Sequence, residues 1–378
     1  MQISQATKVT LLILSMVTMM SNVAIVTSLP HLKDHFPDVK EIEFYSRLMI
    51  TLPSLSIALL APILGHFLHR IRRRLSTVAA LLFFALAGSA GLYLEGIEAL
   101  LLSRALLGVA IAVLMIITTA LVGDYFSQTA RHRYMGMQRA FTSVGGLLFL
   151  IGGGLLSDFG WRLPFALYLV GFLFVPLTVL YLVEPSVEPD EPEEEVRPQL
   201  LGIYALAFVL MLIFYVLPTQ MPFLMINHFG ASGTLTGAII ATAFIANALG
   251  ALSFARLKRH YDYKGIYVIG LAIIGFGFLL IGEVKEVHLF FLTSPIMGFG
   301  GGILMTNVTA WMLSRSHQSR RVKSSGYLTS ALFLGQFFSP IVFHPLVMHF
   351  GVQAFFSVTG VVLMGVVGAY LAYRRFGR

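Results

Sequence analysis

Apolar runs of about 20 residues, the length a helix needs to cross a hydrocarbon core of about 30 Å, succeed one another along this chain with little between them. That succession decides the solvent. Bare backbone cannot cross lipid, so the runs must be helices or strands of a closed barrel. They are continuous and lack the alternation of a barrel strand. Twelve helical spans fit, over 7–29, 46–66, 75–94, 100–122, 137–156, 163–183, 199–224, 233–255, 265–282, 287–313, 325–348 and 352–373. Composition agrees: 57% of residues are hydrophobic and 12% charged, about half the charge of a soluble domain. The fold class expected is an all-α membrane protein. Twelve spans leave no length for a sizeable soluble domain.

The first run is too long for a signal-peptide core and lacks a small-residue cleavage site, so it reads as a retained span. With no cysteine, disulfides, thiol nucleophiles and thiolate metal sites are excluded.

The net charge of +8 follows membrane topology and not nucleic acid. If the amino terminus is cytoplasmic, nearly every Lys and Arg falls on inner loops and termini. Only Lys33, Lys40, Arg47, Arg162 and Lys285 fall outside, and Arg104 lies within a span. Both termini are therefore expected in the cytoplasm, with the plasma membrane, the inner membrane in a bacterium, as the location.

Between the sixth and seventh spans stands EPSVEPDEPEEEVRPQ, with four prolines and seven acidic residues. Such a stretch favours an extended linker. The expected organisation is a six-helix bundle over 1–183, a cytoplasmic linker over 184–199 and a second six-helix bundle over 200–378. At an offset of 190, Gly108, Leu114, Met115, Thr119, Ala120, Arg131, Gly136 and Gly145 match Gly298, Leu304, Met305, Thr309, Ala310, Arg321, Gly326 and Gly335. Six spans return the chain to its starting side, so the repeats are parallel and related by a pseudo-twofold along the membrane normal.

Several motifs resemble those of the major facilitator superfamily, most of all its drug and metabolite efflux branches. The connection GHFLHRIRRR is similar to the family's loop after the second helix: Gly65, Arg70, Arg73 and Arg74 fit, while His69 replaces the usual Asp and Arg72 the second Gly. The resemblance implies an inner gate there, involving Asp124; the basic cluster could equally hold the loop on anionic lipid. In LLSRALLGVAIA, Arg104 and Gly108 share a face and look like the family's Arg-to-Gly pair. An intramembrane Arg points to a cavity or a partner, or it snorkels to the nearby interface. The fifth span is similar to the family's Gly-rich antiporter segment, with Gly145, Gly153, Gly154, Trp161 and Arg162 in place, but Phe149 and Leu150 replace its Gly-Pro pair. Those glycines also suit plain helix packing. GFGGG at 298–302 follows no strand and sits inside a span, so phosphate binding is not expected there, and Asn307-Val308-Thr309 is a sequon only on paper.

The resemblance implies that spans one, four, seven and ten line a cavity. Candidate solute contacts are Asn22, Arg104, Tyr215, Gln220 between Pro218 and Pro222, and Asn307; the eleventh span adds Gln336. Each could instead form an interhelical hydrogen bond. No Asp or Glu falls in the central part of any span, so proton coupling is implied by the family and not by residues. His31 and His344 near the outer face are either sensors or interfacial.

The reading is a secondary transporter of a small amphipathic or apolar solute, monomeric, in contact with lipids, with protons a candidate coupling ion, export preferred and alternating access as mechanism. Uptake or exchange by the same fold is the alternative, and a non-transporting receptor or scaffold the alternative of another class. No catalytic cluster, metal site or cofactor motif is present in the sequence, so an enzyme is not expected.

Overall fold

The computed structural model of the chain describes residues 3–68, 71–126, 128–184, 200–316 and 321–376. Fourteen α-helices are described, and no strand is found among these residues. Eleven helices are long and apolar enough to cross a membrane, and the apolar helix Gln5–Met20 is a shorter twelfth. The chain is an all-α membrane protein.

It divides into two compact units, Met1–Glu195 and Val196–Arg378. The first contains α1 (Gln5–Val23), α2 (Leu32–His35), α3 (Ile42–Leu68), α4 (Arg73–Gly88), α5 (Ile97–Tyr125), α6 (Gln128–Phe159) and α7 (Val170–Tyr181). The second contains α8 (Leu201–Phe214), α9 (Val216–Phe223), α10 (Gly233–Leu257), α11 (Tyr263–Glu283), α12 (Phe290–Arg315), α13 (Arg321–Phe350) and α14 (Val352–Phe376). All but one residue of the acidic segment 184–199 lies outside the described residues.

Each unit packs by the same scheme. In the first, α5 packs on α3 and α4, α4 on α7, and α1 on α6. In the second, α12 packs on α10 and α11, α11 on α14, and α8 on α13. Glycines make these seams close. A Cβ on Gly108 would collide with the Pro53 carbonyl of α3, and one on Gly298 with the Ala243 carbonyl of α10. Both partners are separated by the same 190 residues that separate the two glycines. The GFGGG run has a physical explanation: Gly298 and Gly302 meet the Ala243 and Asn247 carbonyls of α10, while Gly300 meets Gly270 and Ile274 of α11. Backbone contact on two sides at once requires side-chain-free positions on two faces of α12.

Two spans are interrupted where proline removes a donor. The first passes from α1 into a 3₁₀ turn, Val26–His31, containing Pro30. The seventh is broken at Tyr215 and continues as α9, with Pro218 and Pro222, into a π turn over Leu224–His228. Side chains start helices elsewhere: Ser232 accepts from the Leu235 N–H at 3.1 Å and Asp262 from the Gly265 N–H at 2.9 Å. Gly351, at φ 77°, joins α13 to α14 with no further loop, a left-handed position that suits glycine.

Candidate functional site

The charge expected to face a cavity or snorkel outward does something else here. Arg104, in the second turn of α5, is fully buried. Helix α4 ends at Gly88, leaving carbonyls without intrahelical partners. Arg104 Nη2 donates to two of them, Ala87 O at 3.0 Å and Gly88 O at 2.6 Å, and its Nε reaches Ser103 Oγ at 3.4 Å. Its guanidinium carbon stands 4.9 Å from the Phe165 ring centroid and 5.1 Å from that of Tyr168. Those rings occupy the space a Cβ would take on Gly91 and Gly88. The cation therefore serves the negative end of a helix and two aromatic faces. The snorkelling alternative is corrected, because no part of Arg104 reaches the surface.

At the start of α4, Arg73, Arg74 and Asp124 come together around a residue the sequence reading passed over. The carboxylate of Glu184 accepts the backbone N–H of Arg73 at 2.5 Å and of Arg74 at 3.0 Å, capping the start of α4. A carboxylate at a helix N-terminus offsets the helix dipole. Arg73 Nε lies 3.9 Å from Asp124 Oδ2, while the Arg74 side chain is exposed. Tyr125, beside Asp124, donates its hydroxyl to Val183 O. Burial first, and then the nearby charges of Glu184 and Asp124, push its phenol up to about 12. Tyr134 donates to Lys8 O at 2.6 Å, and burial raises its phenol as well. Gly65 lies in the last turn of α3, and His69 and Arg70 lie outside the described residues.

Glycines 145 and 153 bring α6 against α1: a Cβ would press on Met16 at the first and on the Ala24 carbonyl at the second. Gly154 is buried on the same helix, and its carbonyl accepts from Ser157 at 2.8 Å. Asn22 lies in the last turn of α1, with its side chain outside the described set.

The second unit holds the other polar candidates. Tyr215 sits at the break between α8 and α9 and is buried. Gln220, one turn further, is wholly buried, and neither of its amide atoms has a hydrogen-bond partner among the described residues. Its helix packs on α10 and on α13, which carries the buried Gln336. Asn307 is not part of that group. Its Nδ2 donates to Tyr263 O at 3.0 Å, tying α12 to the start of α11.

Arg47 needs a further correction. It was expected among the outer loop charges, yet its side chain is fully buried in α3, where its Nη2 donates to Glu43 Oε2 at 3.2 Å. Lys33 Nζ stands 3.7 Å from the other carboxylate oxygen. The Glu-to-Arg spacing of four was the available signal, and it was masked by placing the start of the span at residue 46.

The model of the Major Facilitator Superfamily matches residues 11–205 and 203–376, nearly the whole chain. The chain belongs to the Major Facilitator Superfamily. Multidrug resistance protein 1 of Bacillus subtilis (strain 168) is 26% identical over 314 residues, 78% of each chain. The class E tetracycline resistance protein of Escherichia coli is 22% identical over 317 residues, 78% of this chain and 76% of that one. Among solved structures, a bacterial homologue of the human lysosomal transporter Spinster, inward-facing and unoccupied, superposes with a TM-score of 0.78 at 14% identity, covering 98% of this chain and 97% of that one. The nucleoside transporter NupG gives 0.74 at 14% identity, covering 98% and 99%. These neighbours share the fold. As a Major Facilitator Superfamily member the chain is an integral membrane transporter of a small-molecule solute and not an enzyme.

Proposed function

We propose that this transporter is a secondary active exporter of small amphipathic or apolar solutes, working by alternating access of the halves 1–183 and 200–378. The observation that carries the reading is the match, over more than three quarters of each chain, to two proteins named for drug and tetracycline resistance. The chemistry of the candidate contacts is compatible. Asn22, Tyr215, Gln220, Asn307 and Gln336 are neutral, and amides and phenols orient a solute by hydrogen bonds without demanding a charge. Gln220 leads this set, because a buried amide with no hydrogen-bond partner among the described residues carries a desolvation cost that a solute's polar group would relieve. Arg104, occupied with α4, acts in this reading by fixing the outer end of its span.

The coupling ion proposed is the proton, on the family resemblance. The proposed setting is the inner membrane of a bacterium, with a monomer among lipids, both termini cytoplasmic and Asp124, Arg73 and Arg74 at the inner gate. Uptake or exchange of a hydrophilic metabolite is the second reading, favoured by the extent of the superposition on NupG.

Proteoliposomes separate the two. With tetracycline and uridine as probes, tetracycline flux is expected to respond to an imposed proton gradient and uridine flux to stay at the level of empty vesicles. Gln220→Leu is expected to lower tetracycline flux about tenfold, the effect of about 1.4 kcal/mol, with thermal unfolding unchanged or raised. Uridine flux that exceeds the tetracycline flux would overturn the export reading.

A further inference from the structure

The outer end of the first unit carries a cluster that the transport reading does not use. Arg162, in the turn between α6 and α7, meets two other segments. Its Nη1 donates to Gly91 O at 3.1 Å and Leu94 O at 2.9 Å, beyond the end of α4, and its Nη2 lies 3.2 Å from Glu95 Oε1. Its guanidinium carbon sits 4.6 Å from the centroid of Trp161. The second segment is α2, in the connection between the first two spans. His35 packs its ring 4.9 Å from Trp161, Phe36 packs 6.1 Å from the same ring, and Arg162 Nη2 stands 3.5 Å from His35 Nε2.

The chemistry of that last contact defines a protonation state. A guanidinium has no lone pair to give, so Arg162 is the donor and His35 Nε2 the acceptor. Only a neutral imidazole with its hydrogen on Nδ1 can accept there. A proton on Nε2 removes the lone pair and places a second cation 3.5 Å from the first. Arg162 keeps its carbonyls and Glu95 in either state, so α2 is the partner released.

We propose that His35, Trp161 and Arg162 form a proton-sensitive strap that fastens α2, and with it the outer end of the first span, to the α6–α7 turn, and that acidification of that face unfastens it. The strap is a regulatory device, separate from the solute and from the coupling ion. The other ionisable groups around His35 belong to known sets. Lys33 and Arg47 both engage Glu43 on the side of α3, Asp34 shares α2, His31 lies in the turn before it, Asp158 ends α6, and Glu95 is held by Arg162. His35 is the imidazole of this group that touches both the indole and the guanidinium.

The chain contains two tryptophans, Trp161 and Trp311, so Trp311→Phe leaves a single reporter inside the strap. Fastened, the indole packs against the imidazole; released, it is open to water. In the purified full-length protein, Trp161 emission is expected to move to longer wavelength in one transition as the pH is lowered, the indole losing its cover as α2 leaves. His35→Gln, which stays neutral, is expected to abolish the transition. His35→Lys, a permanent cation, is expected to give a pH-independent emission spectrum shifted from that of the neutral strap. His31→Gln is expected to leave the transition in place. Emission that does not change with pH in the single-tryptophan protein, or a transition that survives His35→Gln, overturns the proposal. His35 is exposed, so its substitution leaves the fold intact and the comparison fair.

Discussion

A guanidinium inside a membrane is understood by asking which carbonyl it serves. Arg104 serves two, at the place where α4 stops making its own hydrogen bonds. Hydrogen bonds to a charged group contribute about 1.5–3 kcal/mol each, and the two aromatic faces add to that. Arg104→Ala is therefore expected to lower unfolding stability in detergent by about 3 kcal/mol, and Arg104→Lys to recover less than half, because an ammonium lacks the planar fork. A variant of unchanged stability with lost transport would instead make Arg104 a direct solute contact. The sequence announced a costly charge but not its partners, since Ala87 and Gly88 reach it through backbone atoms that carry no residue signature. Glu184 was hidden for the same reason: it reads as the first acid of a linker, and its partners are the N–H groups of Arg73 and Arg74. Gln220 was legible by type and position, between two prolines, whereas its lack of a hydrogen-bond partner among the described residues is a fact of packing that no local pattern encodes.

At the scale of the element, hydropathy made the spans readable because the membrane imposes their length, and most observed ends fall within a few residues of those expected; α1 stops earlier, at Val23, and α6 starts earlier, at Gln128. The interruptions were less readable. Pro30, Pro218 and Pro222 mark them, but proline alone does not say whether a helix kinks, tightens to 3₁₀ or widens to a π turn. The glycines of α12 could be read as packing residues without showing that they serve two neighbours. Gly298→Leu forces a side chain into the Ala243 carbonyl, a backbone group that cannot rotate away. That substitution is expected to destabilise by more than about 2 kcal/mol. Gly365→Leu, where nothing lies within 4 Å of the added Cβ, is expected to change stability by under about 0.5 kcal/mol. Thermal melts of the two proteins in one detergent check the contrast.

Across the whole molecule, the offset of 190 relates more than matching letters. It carries one helix pair, with its glycine and its carbonyl, onto another: Gly108 against Pro53 and Gly298 against Ala243. Orientation is the remaining large-scale property, and the absence of native cysteine makes it easy to read. A single cysteine at Asp34→Cys is expected to react with an impermeant maleimide on intact cells, and one at Arg259→Cys only after permeabilisation. The reverse pattern would invert the topology drawn from the Lys and Arg distribution.

On the face of the first unit that carries α2, the other connections are brief: 93–96 and 160–162. A molecule approaching from that side, whether an antibody, a protease or a phage tail, meets little standing chain except the segment around 33–41. Whatever recognises the first unit on that face has this handle to hold, and the handle is the piece the His35 strap ties down.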